Sequence, residues 1–86
     1  MTPVVFRKYK DEVVAILPTL SAHYGNVVCY QHVGQHGEGH LSWVSDTLPA
    51  TPAEYGDLLR ELVAIGYDDL KVYKRLQTAH ISWRSK

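Results

Sequence analysis

At 86 residues, 45% hydrophobic and 21% charged, the chain makes one domain with a single core and little surplus stability. Nine basic side chains balance nine acidic ones, which argues against a nucleic-acid polymer held by overall charge. The single cysteine, Cys29, excludes an internal disulfide, and no apolar run approaches a membrane span or a signal core. The expectation is a cytoplasmic protein with no membrane partner.

The run Val4-Val5-Phe6-Arg7-Lys8-Tyr9 mixes β-branched and aromatic residues with charges and reads as a first strand. Val4 and Phe6 would face one side, Val5, Arg7 and Tyr9 the other. The charged pair Asp11-Glu12 precedes a second apolar run, Val13 to Leu17, ended by Pro18. A β-hairpin follows, although no glycine supplies the positive φ that tight hairpin turns favour. Pro18 to Asn26 is a connection, with Gly25-Asn26 as a turn and Leu20 and Tyr24 as its anchors. A third strand spans Val27 to about Val33, with Val28, Tyr30 and His32 on one face.

The stretch from Val27 through His40 holds three of the five histidines and three of the six glycines of the chain. Gly34 to Gly39 should break the strand, and Leu41 to Val44 would form a short returning strand. Thr51-Pro52-Ala53-Glu54 is a capping box with proline at the first helical position. Tyr55, Leu58, Leu59, Leu62 and Val63 then recur at the spacing of one helical face, and Gly66 is a natural terminator. Leu70 to Leu76 alternates as a last strand, with Leu70, Val72 and Leu76 inward and Lys71, Tyr73 and Arg75 outward. The fold class is therefore α+β: a small, mostly antiparallel sheet in the order β-β-β-(β)-α-β, with one amphipathic helix on one face. Residues 1–76 form the domain. Residues 77–86 are a polar tail that frays, or serves as an edge strand or oligomerisation arm.

Several segments together, VVFRKYK, VVAILP, YQHVGQH, ATPAEY and IGYDDLKVYKR, resemble in the same order a family of small bacterial and phage proteins. The resemblance spans about Val4 to Arg75, and its most specific part is Tyr30-Gln31-His32-x-Gly34-Gln35-His36. Members carry glycine where this chain has Glu12, and His40 and the tail fall outside the pattern. The resemblance implies one compact domain with Gln31, His32, Gln35 and His36 in its site. It brings no activity with it.

Polar, glycine-punctuated loops beside good strand formers are where binding residues concentrate. The candidate ligand-binding set is Gln31, His32, Gly34, Gln35 and His36, with Tyr30, Arg7, Tyr73 and Arg75 from neighbouring strands. These suit a polar, anionic, nucleotide-like ligand: stacking on Tyr30 or Trp43, amide contacts from glutamine, charge met by arginine. His32, His36 and His40 are an alternative zinc set. On a continuous strand, however, residues four apart lie roughly 13 Å from one another. Cys29 sits mid-strand, where a small buried thiol is expected, Ser42 and Ser45 have no evident partner, and Glu38 is the loop's only acid. No cofactor is expected. The reading is a small non-catalytic binding protein that sequesters such a ligand or blocks a host protein, with a metal-dependent or histidine-based hydrolase as the alternative. Exposed strand edges and eight Tyr and Trp residues suggest a homodimer or higher homo-oligomer.

Overall fold

The computed structural model describes residues 1–31 and 36–83. In chain order they form β1 (Thr2–Tyr9), β2 (Glu12–Leu17), β3 (Asn26–Tyr30), β4 (His36–His40), α1 (Leu41–Val44), β5 (Leu48–Pro49), α2 (Pro52–Ala64) and β6 (Leu70–Tyr73). The strands make one six-stranded sheet in the order β4-β3-β2-β1-β5, with β6 also paired to β1. Every pairing is antiparallel except β1 with β6. This is an α+β fold with one main helix on a mostly antiparallel sheet.

β1 and β2 meet through the two-residue turn Lys10-Asp11, with Tyr9 opposite Glu12. Both turn residues have positive φ, 49° and 66°, the geometry that matches the twist of a hairpin without any glycine. The alternation of β1 and β3 holds. Val4, Phe6, Ala15, Leu17, Val28 and Tyr30 pack with Leu58 and Leu62 of α2. Val5, Val14, Ile16 and Val27 turn the other way and pack with Val44 of α1. Both faces of the sheet centre are therefore covered, which explains why Val13 to Leu17 reads as an unbroken apolar run. α1, Tyr73 and Leu76 cover the face that a two-layer arrangement would leave to solvent.

α2 begins with both halves of its capping box formed, Thr51 accepting from the Glu54 N–H and Glu54 accepting from the Thr51 N–H. It ends at Gly66, φ 127°, where the Gly66 N–H bonds Val63 and the Tyr67 N–H bonds Leu62. That pair of bonds is the left-handed stop that glycine permits at low cost. Leu58 and Leu62 are buried, each contributing about 1.5–3 kcal/mol by area. Val63, expected inward, is 55% exposed, while Tyr55, Leu58, Leu59 and Leu62 make the helix's contact with the core.

Several expectations are corrected. The Gly34–Gly39 break does not hold from residue 36 onward, since His36–His40 is a strand on β3; Leu41–Val44 is a helix instead. Gly39 suits that strand because a Cβ would crowd Cys29 Sγ and the Trp43 ring, each at 3.1 Å. The last strand stops at Tyr73, because β1 offers one outer edge and β5 occupies its second half, at Arg7 and Lys8. Past that point parity is lost, so Leu76 joins Tyr73 against the α1-side core; within the strand Val72, expected inward, is 36% exposed. The tail as far as Trp83 is neither frayed nor a strand: a 3-10 turn (Thr78–His80) leads into buried Ile81. The Ser82 N–H bonds the Pro18 carbonyl and Trp83 Nε1 donates to the Asn26 carbonyl at 2.7 Å. Tyr24, expected as a core anchor, is 85% exposed and rests against the Trp83 ring.

Candidate functional site

The residues singled out in the sequence separate into two places. The first is the end of β3 and β4. Tyr30 is fully buried, its ring in the α2 core and its hydroxyl donating to Glu61. It offers no face for a ligand to stack on. His36 is exposed, its Nε2 2.9 Å from the Tyr67 hydroxyl and its ring 4.9 Å from that of Tyr30. Burial pushes the Tyr67 hydroxyl pKa upward, so it stays protonated beside that imidazole. Gln31 is exposed and donates to Glu12 at 3.3 Å. It lines an acidic groove with Asp11, Glu12, Glu54 and Asp57. His32, Gly34 and Gln35 lie outside the described residues.

The histidine metal set is not assembled on β4. His36 and His40 stand at opposite ends of a continuous strand, roughly 13 Å apart by the strand rise. His40 is occupied as the cap of α1, with Nδ1 accepting from the Ser42 N–H at 3.2 Å and lying 2.7 Å from the Ser42 hydroxyl. Ser42 thus has a histidine partner that sequence spacing did not reveal, in a local turn rather than in a relay. Among the described residues no three His, Cys, Asp or Glu side chains are grouped to hold a metal ion. Cys29 lies half-buried between β4 and β2, and burial pushes its thiol up to about 11, the opposite of an activated nucleophile.

The second place does bring expected residues together. Arg7, Tyr73 and Arg75 line one groove of about 420 Å³. It opens where β6 ends and β5 begins along the same edge of β1. Tyr73 is opposite Val5 and Pro49 is opposite Arg7, so the intervening Phe6 becomes the floor. The Tyr55 ring stacks on Phe6, centroids 4.3 Å apart and planes 8° from parallel. Val72 and Lys74 complete the wall that sequence reasoning did not assign to a site. The usable signal was Pro49 and Pro52 bracketing the start of α2, since both line the groove as well.

Its electrostatics are one-sided. Arg7, Lys74 and Arg75 line it and no acid does. Arg7 is held rigidly: Nε donates to Thr47 Oγ1 at 2.7 Å and an Nη to the Thr47 carbonyl at 2.6 Å. Thr47 itself is buried and bonded to the Val44 carbonyl. Burial draws the Arg7 pKa below its ordinary value, yet a guanidinium remains cationic. Arg7 and Arg75 also border a shallower hollow of about 300 Å³ on the α1 side, so the cationic edge reaches both faces. On the far side of the α2 N-terminus lies the acidic groove, and Lys8 there is paired to Glu54 at 2.7 Å. A chain of zero net charge is thus polarised across its first helical turns.

β3 and β1 are separated by β2, about 10 Å at the usual strand spacing, and the groove opens beyond β1. Gln31 and His36 therefore stand apart from Arg7, Tyr73 and Arg75. Among the described residues no helix is long and apolar enough to cross a membrane. No family model, curated protein or solved structure matches the chain.

Proposed function

We propose that this is a small non-catalytic binding protein whose working surface is the groove between the start of α2 and the end of β6. Its ligand is anionic with a planar or apolar part: a nucleotide-like molecule or an acidic segment of a host protein. One observation carries this reading. Three cations and no acid line the groove that holds the stacked pair Phe6–Tyr55, in a molecule whose charges cancel overall. Arginine held by a buried threonine is pre-organised, so less entropy is lost when an anion docks. No residue lining the groove is placed to activate water or a nucleophile, and Gln31 and His36 are left on a separate surface. The resemblance of its segments to bacterial and phage proteins suits a sequestering or blocking role in the cytoplasm.

The test is titration of the protein with adenosine monophosphate and with pyrophosphate, followed by amide NMR. Saturable shifts at Phe6, Tyr55, Tyr73 and Arg75, lost in Lys74→Glu and Arg75→Glu, are the expected result. Both side chains are exposed, so neither substitution endangers the fold. Absence of saturable shifts in the groove with either anion, together with no polypeptide bound there, overturns the reading.

A further inference from the structure

We propose that the ligand of this groove is an extended, acidic segment of another protein, which adds to the outer edge of β6 as a further strand. The inference rests on the binding-groove reading above and specifies its partner.

β6 pairs only with β1, and among the described residues no strand lies on its other side. The Thr2 N–H bonds the Asp69 carbonyl. In a parallel ladder this sets the alternation: Asp69, Lys71 and Tyr73 address β1, while the N–H and C=O of Leu70 and Val72 point outward. Such an edge is a template for another strand. It runs directly into the groove, because Val72 and Tyr73 belong to both.

The chemistry of the edge selects the occupant. Lys71, Lys74 and Arg75 are exposed along it. A second copy of β6 would set lysines against lysines, which is unfavourable for cross-strand neighbours. An acidic strand reverses the sign of every such pair. On the α2 side, alternate side chains of the added strand meet exposed Val72 and the half-buried Tyr55 ring that lies over Phe6. On the opposite side they meet Lys71 and the Tyr73 ring, 5.8 Å apart. The complementary sequence therefore alternates apolar or aromatic residues with Asp or Glu. A four-residue strand supplies few hydrogen bonds, so charge and the apolar anchor carry most of the selectivity.

The experiment selects dodecapeptides from a random library on the intact immobilised chain, then maps the enriched peptides by amide NMR. Acidic peptides with apolar residues at alternating positions are expected. Their binding should weaken about tenfold or more in Lys74→Glu and Arg75→Glu and fall with added salt. Amide exchange of Leu70 and Val72 should slow on binding the peptide and stay unchanged with adenosine monophosphate. No enrichment, a consensus without acids, or peptide binding that leaves the Leu70 and Val72 amides unprotected overturns the proposal. In that event the groove reading stands if the small anions still shift Phe6 and Tyr55, and falls if they do not. Protection of the Leu70 and Val72 amides without peptide, with a concentration-dependent dimer in sedimentation, assigns the edge to a second copy and also overturns the proposal.

Discussion

Replacing Tyr30 with phenylalanine removes one hydroxyl and nothing else, because the ring is fully buried and phenylalanine fills the same space. The hydroxyl donates to the Glu61 carboxylate. A hydrogen bond to a charged group contributes about 1.5–3 kcal/mol net. Glu61 is half-buried, so water replaces part of what it loses and the lower end, ~1.5 kcal/mol, is expected. In a domain of this size each kcal/mol moves the melting point by about 4–8 °C, so Tm should fall by roughly 6–12 °C. Thermal melts by circular dichroism and urea midpoints at constant m value measure it. Because both residues have further contacts, a cycle with Glu61→Gln isolates the pair, and a coupling of about 1 kcal/mol is expected. A Tyr30→Phe protein melting within about 2 °C of wild type would refute the buried Tyr30–Glu61 pair as a structural bond.

Gly39→Ala places a Cβ 3.1 Å from Cys29 Sγ and from the Trp43 ring, so a loss of about 1–3 kcal/mol is expected. The double variant with Cys29→Ala should lose less than the sum of the two; additive losses would show that the sulfur does not press on residue 39. Glu54 is held at about 2 instead of 4.5, first by its hydrogen bond from Lys8 and then by the Thr51 N–H. A depressed carboxylate gives stability that is complete above its ordinary pKa and is lost as pH falls from about 4.5 towards 2. Glu38, bonded by Asn26 and His23, and Asp69, bonded by Thr2 and the N-terminus, act in the same direction. Tm should therefore drop across this window, and Glu54→Gln should flatten the profile; a parallel profile counts against the Lys8–Glu54 bond. Cys29, pushed from 9.0 to about 11, should alkylate with iodoacetamide at pH 8 roughly a hundredfold more slowly folded than in urea. Equal rates would mean that the thiol is not shielded. Lys10→Asn with Asp11→Gly suits the positive φ of both positions and should stabilise the hairpin by about 0.5–1 kcal/mol; a neutral or lower Tm contradicts that turn geometry.

The sequence by itself determined what is local. Thr51-Pro52-Ala53-Glu54 and Gly66 specify both ends of α2 because capping is decided within four residues, and the structure has both as read. The α+β class follows likewise from strand alternation and one amphipathic helix. What alternation cannot tell is how many faces are covered. Val14 and Ile16 looked the same whether they met solvent or α1, and only tertiary packing put Val44 and Leu76 over them. Glycines misled in β4, since they signal a break in isolation but here make room for Trp43, a contact between elements.

The candidate site divides on the same principle. Gln31 and His36 stood out through their loop, and Arg7, Tyr73 and Arg75 through residue type. Which of them share a surface depends on strand order, and no single strand encodes its neighbours. Tertiary structure decided that β5 and β6 divide one edge of β1, which leaves buried Phe6 beneath the Tyr55 ring as the floor between them. It also turned Tyr30 from a candidate ligand contact into core, and it gathered Arg7, Lys74 and Arg75 around the Tyr55 ring. Residues 7, 55 and 75 are far apart in the chain, and their meeting is a property of the sheet's order, which short-range periodicity does not carry.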